Sequence, residues 1–100
     1  MAIFVKQKEE FSAFAPVKKV SLFEGVRVVH FSLKEGQKVS LHTSPYKVIL
    51  VVVEGEGEFY ASSEENKEVL EKGQVVIYER HEPHGFKALR DMVVVAFILE

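Results

Sequence analysis

Residues Val26 to Leu33 read Val-Arg-Val-Val-His-Phe-Ser-Leu, so Val29, Phe31 and Leu33 share one face and His30 and Ser32 the other. That alternation has the period of a half-buried strand, and Glu35-Gly36 then turns the chain. Lys47 to Val53 is different, because every position from Val48 to Val53 is apolar. Such a strand needs cover on both faces, a barrel core on one side and another layer or subunit on the other. A second copy of the chain is the simplest cover; the segment before Val26 is the alternative within one chain. Glu54-Gly55-Glu56-Gly57 breaks the run with two glycines able to take positive φ, and Glu58 to Ala61 resumes it.

A polar tip, Ser62 to Lys67, then separates that strand from Glu68-Val69-Leu70. One helical turn over Glu64 to Leu70 is the other reading, though it is short and uncapped. Lys72-Gly73 turns into Gln74 to Tyr78, a charged loop over Glu79 to Pro83 leads to His84-Gly85-Phe86, and Met92 to Leu99 closes the series. Seven or eight short strands at these turn spacings predict a sandwich or small barrel. Before Val26 the pattern is weaker: Phe11, Phe14, Val17, Val20, Leu22 and Phe23 are interrupted by Pro16, which predicts short edge strands over 1–25.

Composition sharpens this reading. Valine is the commonest residue, 17 of 100, as strands favour, and 100 residues leave room for one domain. The absence of cysteine excludes disulfides, thiolate metal sites and a cysteine nucleophile. A net charge of −2, spread without a basic stripe, excludes a nucleic-acid surface. No signal-peptide core forms near Met1, and the longest apolar run, Val48 to Val53, is too short to span a bilayer. A cytoplasmic protein with no membrane partner is expected. The 14 Glu and 10 Lys, against one Asn and three Gln, match hyperthermophile compositions.

From Gly36 onward the chain resembles the cupins. Their first motif is G-x5-H-x-H-x3,4-E-x6-G, and Gly36, His42 and Gly55 stand at its frame positions. Their second is G-x5-P-x-G-x2-H-x3-N, matched by Gly73 and His84, with Pro83 and Gly85-Phe86 beside it. The resemblance implies a jelly-roll β-barrel of two antiparallel sheets, with residues 26–99 as the conserved barrel of a single domain over 1–100. It departs where the family's chemistry lies: Ser44 stands at the second histidine, Val48 at the glutamate, Glu79 at the proline, His81 at the glycine and Ala88 at the asparagine.

Of the four family metal ligands only His42 and His84 are present. Two imidazoles can hold a late first-row ion such as Zn, Ni or Cu more readily than Fe or Mn, and His81 is the candidate third ligand, unless it is simply a solvated loop residue. The side that would carry the carboxylate is apolar instead. A cavity lined by Phe31, Val48, Leu50 and Phe86, with His42, Ser44 and His84 at one end, fits a small-molecule pocket. The catalytic residues, if any, are unassigned. Three functions stay open: a small-molecule binder with at most an incomplete metal site, a metal-dependent oxygenase or isomerase using His42 and His84, and a structural or regulatory module acting through a dimer surface. Ser44 lacks an acidic orienter near His42, which argues against a hydrolase. Tyr46, Tyr78 and Lys47 could each reach a ligand, and Glu54, Glu56 and Glu58 are expected as outward hairpin residues.

Overall fold

A computed structural model describes residues 1–100. It contains nine strands and no helix: β1 (Val17–Phe23), β2 (Val26–Leu33), β3 (Lys38–His42), β4 (Lys47–Glu54), β5 (Glu56–Ala61), β6 (Ser63–Glu71), β7 (Val75–Tyr78), β8 (His84–Ala88) and β9 (Met92–Leu99). They form a five-stranded sheet, β1-β2-β9-β4-β7, facing a four-stranded sheet, β3-β8-β5-β6. Every pairing is antiparallel. This is the jelly-roll architecture expected for an all-β chain of this pattern.

The period-two reading of β2 fixes which residues enter the interior. Arg27, Val29, Phe31 and Leu33 pair with Ile98, Ala96, Val94 and Met92 on β9, and these continue into Val48, Leu50 and Val52 of β4. Val29, Leu33, Val48, Leu50, Val52, Val94 and Ala96 join Phe59, Phe86, Ala88, Met92 and Tyr78 in one buried cluster. Full burial of an aliphatic or aromatic side chain contributes about 1.5–3 kcal/mol each, so this cluster is what holds the two sheets face to face.

The hairpin after β4 departs from its sequence reading in two ways. Gly55 does take positive φ (83°), but Gly57 does not. Gly57 is there for space, since a Cβ would lie 2.6 Å from Met92 Sδ and 2.8 Å from the Lys87 carbonyl oxygen. The supposed polar tip is strand from Ser63 onward, neither loop nor helical turn. Ser62 alone makes the turn with φ of 68°, and Glu58–Lys67 at 3.1 Å ties the two strands together. Glu54 and Glu56 are likewise outward residues paired with Lys72 and Arg90, at 3.1 and 3.6 Å.

The outer face of the five-stranded sheet is as apolar as β4 requires. Val51 aligns with Val95 and Val75, and Ile49 with Phe97 and Ile77. The chain before β1 covers one end of this face without forming a strand. The Glu10 backbone N–H donates to Ser32 Oγ at 3.1 Å, and Lys19 Nζ donates to the Lys8 carbonyl at 3.1 Å. The other end is open, with Val75 and Ile77 exposed by 49% and 56%. No helix is long and apolar enough to cross a membrane.

Candidate functional site

The site lies at the end of the barrel where β3 and β8 run side by side. His42 and His84 are register partners, with ring centroids 4.2 Å apart and planes inclined by 57°. Gly85 makes this possible. A Cβ there would meet the Val39 carbonyl oxygen at 2.7 Å and the Leu41 nitrogen at 3.0 Å, so only glycine lets β3 lie this close to β8. The register shift between Val39 and His42 then turns His42 opposite His84.

Both imidazoles are oriented by the backbone. Nδ1 of His42 lies 2.9 Å from the Ser40 carbonyl oxygen, and Nδ1 of His84 lies 2.9 Å from that of Glu82. A carbonyl only accepts, so Nδ1 carries a proton in each ring, and in the neutral form Nε2 keeps its lone pair. His84 is 5% exposed. Burial pushes its pKa below the ordinary value, opposed by the hydrogen bond to the Glu82 carbonyl, while nearby His42 lowers it further. Tyr78 stacks on His84, centroids 4.8 Å apart. Burial raises the Tyr78 hydroxyl well above its usual range, and that hydroxyl has no hydrogen-bond partner.

Below the histidines the barrel holds a cavity of about 310 Å³. Phe31, His42, Ser44, Val48, Leu50, His84 and Phe86 all line it. Phe86 forms its floor, packed edge-on against Phe31 and stacked on Phe59, each with centroids 5.3 Å apart. Ser44 is not on the strand of His42; it sits past the end of β3, where its Oγ accepts from the Tyr46 N–H at 3.1 Å. No hydrogen bond links it to His42, so no nucleophile–base pair forms.

His81 lies outside the cavity lining. It is exposed, and its φ of 64° is the left-handed conformation that glycine adopts most readily. Its backbone N–H donates to the Ser44 carbonyl at 2.7 Å. His81 thus fills a glycine-type turn position, the one the second motif reserves for glycine. No group of three or more His, Cys, Asp or Glu side chains that could hold a metal ion forms anywhere in the chain. Four-ligand coordination of the kind the motifs encode does not fit these residues, because Val48 supplies no donor and the Ser44 hydroxyl is engaged locally.

A cupin-domain family model matches residues 29–99. The chain belongs to the cupin family. No curated protein matches it. Among solved structures, an RmlC-like cupin protein from Desulfovibrio desulfuricans is similar at 26% identity and a TM-score of 0.87, covering 99% of this chain and 95% of that one. KdgF from a Halomonas species shares the fold at 21% identity and a TM-score of 0.81, covering 100% and 94%. The oxalate decarboxylase of Bacillus subtilis, whose Mn(II) centres have been characterised, shares it at 16% identity and 0.70, covering 76% of this cupin and 21% of that chain.

Sequence reasoning missed two charged residues of the cavity wall, Lys18 and Arg27. Arg27 was within reach, since it has the same parity on β2 as Val29, Phe31 and Leu33 and therefore points inward. Lys18 was not, because its place opposite Phe31 depends on the β1–β2 register. Of the other candidates, Tyr46 lines the cavity. Lys47 does not, and pairs with Glu79 at 3.7 Å. His30 lies on the outer face with Val53 and Val95, beneath Gln7 to Glu9.

Proposed function

We propose that this cupin is a single-domain binding protein that holds a small organic molecule in the barrel mouth, without a complete metal centre. The proposal takes 1–100 as one domain, with 1–25 as its edge and 26–99 as its barrel, in a cytoplasmic homodimer. The observation that supports binding is the pairing of an aromatic floor, Phe31 and Phe86, with two oriented imidazoles in one cavity of about 310 Å³. That is the usual composition of a small-ligand site: an apolar body with a few fixed polar groups.

A second reading, a metal-dependent enzyme, has one observation in its favour. A hydrogen bond from Nδ1 to a backbone carbonyl, with Nε2 free, is how histidine ligands to metals are commonly held. His42 and His84 could then hold a Zn, Ni or Cu ion that supplies Lewis acidity, with the rest of its shell from solvent.

Metal content and affinity separate the two readings. Natural protein, His42→Ala/His84→Ala and His81→Gly are titrated at neutral pH with Zn, Ni, Cu, Mn and Fe. Expected are no stoichiometric Mn or Fe, weak binding of the later ions that the double variant abolishes, and no effect of His81→Gly. Stoichiometric tight metal, lost in the double variant, overturns the metal-poor reading and puts the enzyme first.

A further inference from the structure

The cavity wall carries charge of one sign. Lys18 and Arg27 both line it, and none of its fourteen lining residues is Asp or Glu. The inward row Arg27–Ile98–Val48–Tyr78 crosses the five-stranded sheet, so the position matching the family's glutamate, Val48, is apolar and the charged member of its row is a cation. A site with a carboxylate gathers cations. This one presents cations without that carboxylate.

Both cations have unspent capacity. No Asp or Glu oxygen lies within salt-bridge distance of Lys18, whereas Lys19 beside it pairs with Glu10 at 3.2 Å. Arg27 is held through one terminal nitrogen by Glu100, yet its Nε–H is buried and has no partner. A guanidinium offers five donors, and a buried donor left unpaired is costly enough that a partner is normally present. The Arg27–Glu100 pair is neutral as a unit, so the wall's uncompensated charge is the single one on Lys18. That balance suits a monoanion better than a dianion.

From these placements we infer that the barrel mouth recognises a small organic monocarboxylate, its carboxylate on Lys18 and the Arg27 guanidinium and its body on the Phe31–Phe86 floor. At about 30 Å³ for each water displaced, a 310 Å³ cavity holds about ten non-hydrogen atoms. The free Nε2 atoms of His42 and His84 accept hydrogen bonds, so a hydroxyl on the far end of the ligand would find them. The inference rests on the binding reading and assigns its ligand class.

The test is a panel of monocarboxylates from acetate to benzoate and cyclohexanecarboxylate, each against its primary amide, with inorganic phosphate as the other oxyanion. Binding is read by chemical-shift changes at Phe31, Phe86 and His84. The expected result is that at least one carboxylate binds at the cavity about tenfold more tightly than its amide, as a charge-assisted hydrogen bond implies. Lys18→Met, an exposed edge-strand substitution, and Arg27→Gln should each erase most of that preference, weakening the carboxylate far more than its amide. Carboxylates and amides binding equally at Phe31 and Phe86 would overturn the anion assignment and leave the binding reading standing. Phosphate outcompeting every carboxylate would overturn the monocarboxylate class, and no binding by either class would overturn both.

Discussion

Gly85→Ala is the substitution that most directly tests how the histidine pair is built. An added Cβ would lie 2.7 Å from the Val39 carbonyl oxygen and 3.0 Å from the Leu41 nitrogen and Ser40 carbonyl carbon. Ordinary contact needs about 3.5 Å, so β3 must retreat by about 0.5–0.8 Å. The obstructing atoms are backbone, so no rotamer change relieves them. β3 is an edge strand paired only with β8, so it will yield by lengthening the hydrogen bonds around Val39–Phe86 and His42–His84. Losing about two of them at about 1 kcal/mol each puts the cost near 2 kcal/mol. For a domain of 100 residues that corresponds to a melting temperature lowered by about 8–16 °C.

The assay is thermal unfolding followed by circular dichroism, together with NOEs between the His42 and His84 rings. Lys87→Ala on the same strand is the control and should move the melting temperature little. The expected variant is folded, destabilised by about that amount, and has lost the ring-to-ring NOEs. A Gly85→Ala protein that melts with the natural one and keeps those NOEs would refute the claim that close approach at Gly85 sets the pair.

Acidification should destabilise the fold through histidines before the glutamates titrate. Burial lowers His84, helped by His42 and opposed by the Glu82 carbonyl and carboxylate; burial and then Lys19 lower His30. With folded values below the unfolded 6.5, their contribution is complete above that pH. It declines as the pH falls from 6.5 through the folded values. Melting curves between about pH 7.5 and 5.5 should show this decline, and His84→Gln should reduce it; an unchanged decline in that variant would locate the effect elsewhere. The open outer face supplies the other test. If a second copy covers Val75 and Ile77, sedimentation should show a dimer that Ile77→Lys converts to a folded monomer, whereas a natural protein sedimenting as a monomer would remove the dimer from the proposal.

What the sequence alone determined about this protein is what depends on local periodicity. A strand sends alternate side chains to opposite faces, so Val29, Phe31 and Leu33 were legible as one interior face and Val48 to Val53 as a strand apolar on both sides. That His42 and His84 meet was implied only by the resemblance of their glycine and histidine frames to the cupin motifs. The tertiary structure decided what depends on register and on approach between distant strands. Lys18 reaches the cavity only because β1 aligns it with Phe31. Gly85 matters only because β3 passes over it, and His81 proves to be a turn residue only through its positive φ. Pairing across a sheet is set by turns, bulges and the packing of both faces at once, and none of these is contained in the residues of a single strand.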